Sequence, residues 1–310
     1  MKMMKRKQFN DLVRLNQVDL KKFLNEKLSQ KYDEVYNEDG FLYAQGSTPV
    51  LLVAHMDTVH KQTPSEIKCD NGKISSPQGI GGDDRCGVFM ILEMIEKYDC
   101  SVLFTEDEEV GAIGAEKFVR TKLAQCLVSS FNFIIEFDRK GNNDAVFYGC
   151  NNPEFEEFVT QKFFKTNIGS FSDISIIAPE LKVSAVNLSC GYYNAHTKEE
   201  YVVWDEMMKV IDETSWLLDN MEDVKYEYIE DEYFANDWYG GTINGYGYGY
   251  GDESVWYIEF EHNGRVDVAE VFACSKPEAV GMFLMEYSNL SYENIMFVEQ
   301  FWWRKYKLWQ

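Results

Sequence analysis

A histidine and an aspartate stand two residues apart at the end of a short apolar run, His55 and Asp57 after residues 51–54. The run follows Pro49 and is too short for a helix, so we predict a buried strand. In an open α/β sheet, ligands bind beyond the carboxyl ends of the strands. Imidazole and carboxylate groups at such a position can bind a metal ion or act on a water molecule.

Further acidic and histidine residues follow other apolar runs or a glycine-rich turn. In chain order these are Asp83 and Asp84, Glu108 and Glu109, Asp138, and His196. Two imidazoles and three carboxylates suffice for two zinc ions that each keep an open position for water. Two metals about 3.5–4 Å apart need one bridging carboxylate. A carboxylate next to a ligand can act as a general base on that water, and an outer carboxylate such as Asp57 can orient a histidine ligand.

Each of these positions also has an ordinary structural explanation. A solvated acidic loop would account for residues 106–109, and a helix N-cap for Asp83 and Asp84. A turn would account for Asp138, and a structural role for His196. One such position is weak evidence for chemistry, whereas five of them at strand ends of one α/β unit favour a shared site.

The composition disfavours several classes of protein. The chain has 310 residues and a formal net charge of −22, which disfavours nucleic acid because phosphate binding needs clustered lysine and arginine. No apolar run approaches the length of a membrane span, and no apolar signal region follows the basic N-terminus, so we expect no secretion. Seven scattered cysteines without a C-x-x-C pair argue against a disulfide framework and favour the cytoplasm.

Short apolar runs alternate with helix-like segments through residues 33–221, which predicts a mainly parallel sheet covered on both faces. We therefore expect a three-layer α/β/α sandwich with a mixed, mostly parallel sheet. Predicted hairpins cover residues 32–45 and 67–76. Predicted helices cover residues 9–32, 88–98, 111–123, 153–164 and 198–220.

Near Met221 the sequence becomes acidic, and residues 233–254 are rich in glycine and tyrosine. Two alternating segments then flank Asn263-Gly264, a strong hairpin signal, and a helix and an apolar run follow. We predict a catalytic domain over residues 1–221 and, over residues 222–310, a linker with a small C-terminal α+β module. The glycine- and tyrosine-rich segment would be a mobile linker or a lid over the cleft.

Five short motifs resemble, in order, those of the co-catalytic di-zinc exopeptidases, a superfamily that includes peptidase T, glutamyl-type aminopeptidases and related deacylases. The motifs are Ala54-His55-Met56-Asp57, Gly82-Asp83-Asp84-Arg85, Glu108-Glu109-Val110-Gly111, Glu136-Phe137-Asp138 and His196-Thr197-Lys198-Glu199-Glu200-Tyr201. The resemblance covers about residues 35–215. The ordered set is specific, although each motif alone is not.

The resemblance implies a metal-binding role for five residues. Asp83 would bridge two zinc ions, with Mn²⁺ or Co²⁺ as alternative metals. His55 and Asp138 would complete one site, and Glu109 and His196 would complete the other. The spacings between successive ligands are 28, 26, 29 and 58 residues, which leaves no room for the dimerisation or lid domain that many relatives insert.

The resemblance also implies the groups around the metals. Glu108 would be the general base, and Asp57 would orient His55. The superfamily usually has a cis peptide after its bridging aspartate, which here is the bond from Asp83 to Asp84. Contacts to the far end of the substrate, which the inserted domain often supplies, would be missing or come from elsewhere in this chain. Residues 222–310 have no counterpart in the resemblance.

These features predict a metal-dependent amide-bond hydrolase, a di-zinc aminopeptidase acting on short peptides. A carboxypeptidase or an N-deacylase acting on acylated amino acids is the alternative among enzymes. No arginine cluster that would bind a terminal carboxylate is evident in the sequence, which favours recognition of an amine. A non-catalytic metal- or peptide-binding protein is the alternative from another class, and the oligomeric state stays open.

Overall fold

The computed structural model describes residues 2–169, 171–230, 254–262, 265–273, 283, 287 and 295–300. The chain divides into two compact units, Met1–Asp231 and Glu232–Gln310. Within the described part of the chain, no helix is both long and apolar enough to cross a membrane. The six described cysteines are all free thiols, and the cytoplasmic location stays a prediction.

Helices and strands alternate through most of the first unit. Its described helices are α1 Lys2–Leu12, α2 Gln17–Leu28, α3 Gly82–Ile95, α4 Ile113–Val119, α5 Lys122–Leu127, α6 Pro153–Thr160, α7 Ile174–Leu181 and α8 Trp204–Asn220. Its described strands are β1 Val35–Glu38, β2 Phe41–Ala44, β3 Thr48–His55, β4 Lys68–Asp70, β5 Lys73–Ser75, β6 Cys100–Thr105, β7 Phe133–Arg139, β8 Asp144–Val146, β9 Lys165–Thr166, β10 Ala185–Ser189, β11 Tyr192–Tyr193 and β12 Tyr201–Val203.

The main sheet has eight strands in the order β1-β2-β6-β3-β7-β10-β8-β9. The four central strands, β6, β3, β7 and β10, run parallel. The strands next to them, β2 and β8, run antiparallel to them; β1 is antiparallel to β2, and β9 is parallel to β8. β3 lies between β6 and β7, and its residues from Val50 to His55 are all buried, as expected for a strand covered on both faces. The predicted α/β fold with a mixed, mostly parallel sheet is confirmed, and the carboxyl ends of the parallel strands share one end of the sheet.

Separate apolar cores lie on the two faces of this sheet. On one face, Phe9 and Phe89 pack against Trp204 of α8, with ring centroids 6.0 Å and 5.5 Å from it. On the other face, Phe118 of α4 packs against Phe41 of β2 at 5.2 Å. Each buried phenylalanine contributes about 1.5–3 kcal/mol, so helices on both sides fix the strands and the loops at their ends.

A second, smaller sheet supports the loop that contains His196. Its strand order is β11-β12-β5-β4. The β4–β5 hairpin turns at Asn71 and Gly72, which both have positive φ angles, as the Asn-Gly signal predicted. β12 pairs with β5 on one side and with β11 on the other, so the loop between β11 and β12 is fixed at both ends.

Two predicted helices are each divided in the structure. The segment predicted as one helix over residues 9–32 forms α1 and α2, because the side chain of Asn16 accepts a hydrogen bond from Asp19 N–H and begins a new helix. The segment 111–123 leads into α4 and α5, and Thr121 caps α5 in the same way. α7 was not predicted; it contains Pro179, a residue that normally disfavours a helix interior.

Residues 222–230 pack with the first unit rather than with the second. The N–H of Tyr226 donates to the carbonyl of Asn132, and the carbonyl of Tyr226 accepts from the N–H of Ser184, both at 2.8 Å. The compact units therefore separate after Asp231, ten residues later than the boundary at Met221 that the sequence suggested. The division into a catalytic domain and a separate module stays a prediction.

The second unit contains a three-stranded antiparallel sheet. β13 (Ser254–His262) lies between β14 (Arg265–Ala273) and β15 (Ile295–Gln300). β13 and β14 flank residues 263–264, as the Asn-Gly hairpin signal predicted. Of the predicted helix after this hairpin, only Phe283 and Tyr287 are described. The predicted linker or lid over residues 233–254 lies outside the described residues, apart from Ser254.

Candidate metal centre

β3 ends in His55, whose imidazole is 1% exposed. One ring nitrogen, Nδ1, lies 3.1 Å from Asp57 Oδ1, and the other, Nε2, lies 3.1 Å from Asp83 Oδ1 and 3.4 Å from Asp138 Oδ1. Asp57 thus occupies the orienting position that was predicted for it. Nε2 faces two carboxylates and is therefore placed to bind a metal ion together with them.

Asp83 lies at the start of α3, where the chain passes close to the small sheet. A Cβ atom on Gly82 would lie 2.8 Å from Val202 Cγ2 and 2.9 Å from Tyr192 Cβ, so this approach requires glycine. The fully buried carboxylate of Glu200 accepts the N–H groups of Gly81 and Asp83, at 2.8 and 2.9 Å. The peptide bond from Asp83 to Asp84 is cis, as the resemblance implied.

The Asp83 carboxylate lies between the two histidines. Its Oδ1 is 3.1 Å from His55 Nε2, and its Oδ2 is 3.2 Å from His196 Nε2. The neighbouring Asp84 has a different role, because its Oδ1 accepts the N–H of Gly87 at 2.9 Å and so caps α3. The helix-cap explanation therefore holds for one aspartate of the pair and not for the other.

The loop after β6 carries the two glutamates. Asp57, which contacts His55, also binds this loop. Its two carboxylate oxygens accept the N–H groups of Glu108 and Glu109, both at 3.0 Å. Glu109 Oε2 lies 3.0 Å from His196 Nε2. Among the described residues, none donates a hydrogen bond to the Glu108 carboxylate, which leaves it available for a water molecule or a substrate.

Asp138, near the end of β7, is oriented by three neighbours. Its N–H donates to Asn187 Oδ1 at 2.9 Å, and the hydroxyl of Ser172 donates to its Oδ2 at 3.0 Å. The hydroxyl of Tyr192 lies 3.0 Å from the Asp138 carbonyl and 3.3 Å from Oδ1. Glu136, two residues earlier, faces the same side of the strand and contacts Ser172 Oγ at 2.5 Å.

The structure therefore brings the five predicted ligands together as two groups that share Asp83. One group is His55, Asp83 and Asp138, and the other is Asp83, Glu109 and His196. Within each group the ligand atoms lie within 4.8 Å of one another. Glu109 Oε1 is buried and has no hydrogen-bond partner among the described residues. Imidazole nitrogens, carboxylates and an orphaned buried oxygen fit a pair of divalent cations.

The electrostatics of these side chains point the same way. Burial lowers the pKa of His196, but the carboxylates of Asp83 and Glu109 raise it more, to about 11. Burial and the Asp83 carboxylate raise the pKa of Glu109 to about 7. Burial and neighbouring carboxylates also hold the pKa of Glu108 well above its ordinary value. Positive charge is needed here, and a bound cation would supply it while favouring neutral imidazoles and ionised carboxylates.

Several supporting residues were not assigned a role from the sequence. Glu200 and Arg85 stand inside the quoted motifs, but their hydrogen bonds depend on long-range packing. Ser172 and Asp173 lie at the start of the unpredicted α7. His60, whose Nε2 lies 2.8 Å from Glu200 Oε2, follows no apolar run. Only the adjacency of Glu200 to the His196 motif could have suggested it in advance.

Comparison with known proteins gives a consistent result. Residues 42–174 match the model of Peptidase family M28. The fold is similar to that of aminopeptidase PepT from Bacillus cereus, with a TM-score of 0.55 and 14% identity over 70% of this chain and 98% of that one. A tripeptidase from Staphylococcus aureus gives a TM-score of 0.56 and 13% identity over 70% and 98% of the two chains.

A third similar structure is PhTET1-12s, a dodecamer in its asymmetric unit, with a TM-score of 0.51 and 14% identity over 69% of this chain and 99% of that one. No curated protein sequence matches the chain. At these identities the solved structures support the fold, while the family match adds the peptidase signature of residues 42–174. The family match covers the first four of the five ordered motifs, and it agrees with the resemblance that those motifs carry.

Proposed function

We propose that this chain is a di-zinc aminopeptidase that removes residues from the amino terminus of short peptides. The observation that carries the proposal is the position of the Asp83 carboxylate, with one oxygen 3.1 Å from His55 Nε2 and the other 3.2 Å from His196 Nε2. Asp138 would complete the ligands on the His55 side and Glu109 those on the His196 side. A carboxylate between two imidazoles is the arrangement that a bridged metal pair requires.

The chain's own residues divide the chemistry between them. When bound, two zinc ions would polarise the scissile carbonyl and make the attacking water more acidic. Glu108 accepts the proton of that water and passes it to the leaving amine, a role that suits its carboxylate because no described residue donates a hydrogen bond to it. Asp57 keeps Glu108 in reach, because it accepts the N–H of Glu108 while its contact with Nδ1 fixes the tautomer of His55.

Recognition of an amine is favoured over recognition of a carboxylate. Arg85 is buried, and its guanidinium donates to the carbonyls of Met56, Asp57 and Leu15. Arg139 contacts Asp144 and the carbonyl of Ile168. The guanidinium groups of Arg85 and Arg139 thus have partners in the protein, whereas the acidic surroundings suit an ammonium group. This supports an aminopeptidase over a carboxypeptidase acting through the same centre.

The test is turnover of one tripeptide in three forms: unmodified, acetylated at the amino terminus and amidated at the carboxyl terminus. We expect cleavage of the unmodified and amidated forms and little cleavage of the acetylated form. Preference for the acetylated form would indicate a deacylase or carboxypeptidase. No turnover of any form by metal-loaded protein would favour the non-catalytic alternative.

A substitution tests the assigned base. Glu108→Gln should keep its metal and lose turnover by at least about 10²-fold, since general-base contributions are commonly 10²–10⁴-fold. Glu109→Gln should instead lose metal from the His196 side, because Glu109 is a candidate ligand. Retained turnover in Glu108→Gln, together with lost turnover and full metal content in Glu109→Gln, would mean that the roles of the two glutamates are reversed.

A further inference from the structure

Two side chains of α2 contact the loop that carries Glu108. Lys21 Nζ donates to Glu106 Oε2 at 2.7 Å and to the carbonyl of Glu38 at 2.6 Å. One helical turn earlier, Gln17 Nε2 donates to Asp107 Oδ1 at 3.2 Å. Both contacts are partly buried, and both come from residues that precede the family match at 42–174.

The turn between α1 and α2 contacts Arg85, which binds the segment that contains Asp57. Arg85 donates one guanidinium nitrogen to the Leu15 carbonyl at 3.1 Å and another to the carbonyls of Met56 and Asp57 at 2.5 and 3.2 Å. The carboxylate of Asp57 in turn holds the N–H of Glu108. The helix pair α1–α2 therefore reaches Glu108 by two routes, one through Arg85 and Asp57 and one through residues 106–107.

The backbone at the start of this loop needs such support. Asp107 has a φ angle of 60°, a left-handed conformation that residues other than glycine adopt uncommonly, although aspartate tolerates it better than most. The Glu106 carboxylate also accepts the N–H of Gly40 at 2.9 Å. Lys21 and Gln17 thus contact the two residues whose backbone fixes the direction in which Glu108 leaves the strand.

We propose that Lys21 and Gln17 are positioning residues for Glu108, so that the N-terminal helix pair is part of the catalytic apparatus; this rests on the proposed role of Glu108 as general base. Neither residue touches the candidate ligands, so metal content and substrate affinity should not depend on them. The rate of the chemical step should depend on them, since a small misplacement of a catalytic group lowers that rate strongly.

The test compares Lys21→Met with Lys22→Met in the full-length, zinc-loaded protein. Lys22 is on the same helix and is exposed, and no hydrogen bond or ion pair joins it to the loop within the described part of the chain. Its substitution therefore removes the same charge without removing a contact to the loop. We expect Lys21→Met to lower kcat by about 10-fold with KM and metal content unchanged. Lys22→Met should leave all three unchanged, and Lys21→Arg should restore kcat because a guanidinium can donate to both oxygens.

Hydrogen exchange separates this inference from the proposed function. In Lys21→Met, the N–H groups of Glu108 and Glu109 should exchange faster than in Lys22→Met, whether or not the protein cleaves peptides. Equal exchange rates and equal kcat in the two variants would overturn the inference. Full activity of Glu108→Gln would instead overturn the proposed base. Should Lys21→Met fail to fold, Gln17→Ala removes a single neutral donor and carries the same comparison.

Discussion

The two halves of the candidate centre differ in the exposure of their histidine side chains and in the elements that carry their ligands. In the closed half, formed by His55 and Asp138, the side chains are 1% and 10% exposed. In the open half, formed by Glu109 and His196, the imidazole is 46% exposed and belongs to a residue with a φ angle of 64°. Asp83 is common to both halves.

This difference follows from the elements that carry the ligands of each half. The closed half is built on the central strands β3 and β7, and its ligands are fixed by Asp57, Ser172 and Asn187. The open half is built on loops, as is usual for groups that meet a substrate. The closed half is therefore preorganised, and the open half is where water and substrate gain access.

Loss of the shared ligand should have the largest effect. Asp83→Ala should lose both zinc ions and all turnover, because one carboxylate serves both halves. Metal analysis of protein purified without chelator provides the measurement. Glu199→Ala, which removes an exposed carboxylate next to Glu200, is the control and should keep both ions. Unchanged metal content in Asp83→Ala would remove the bridging assignment.

Substitution of one histidine in each half should separate the halves. His196→Ala should keep one ion and a nearly unchanged Tm in the chelated protein, since the ring is half exposed. His55→Ala should lower that Tm by several degrees, because it removes a buried imidazole that contacts the carboxylates of Asp57, Asp83 and Asp138, at a cost of about 1–3 kcal/mol. Thermal unfolding and metal content of both variants test this. Equal losses of Tm would contradict the asymmetry.

The smallest expected effect concerns Asp173, a fully buried residue behind the closed half that accepts a hydrogen bond from Thr105. Burial raises its pKa from 3.8 to about 7. The folded state therefore binds a proton that the unfolded state has lost, so this residue's contribution to stability is full below about pH 4 and is lost as the pH rises through about 7.

In chelated protein, Asp173→Asn should make stability less dependent on pH between 4 and 7. Urea unfolding at pH 5 and pH 8 provides the measurement. The free energy of unfolding of the variant, relative to that of the wild type, should be higher at pH 8 than at pH 5. Glu180→Gln, in the helix that Asp173 precedes and with an exposed side chain, is the control. An identical pH profile for Asp173→Asn and the wild type would show that Asp173 titrates normally.

Much of the arrangement follows from the sequence alone. Apolar runs of strand length, each followed by polar residues, fix which side chains lie at the carboxyl ends of parallel strands. His55, Glu108 and Asp138 were predicted there for that reason, and the structure places them close together. The Asn-Gly turns likewise predicted both hairpins, because their geometry depends on two neighbouring residues.

The contacts that orient these side chains were decided by the tertiary structure. Glu200 reaches the N–H of Asp83 across 117 positions of sequence, and Lys21 reaches Glu106 across 85. Such pairs depend on how the helices and the second sheet pack, which local patterns do not encode. The difference between the closed and open halves has the same origin: the sequence determined which residues meet, and packing determined how deeply each one is buried.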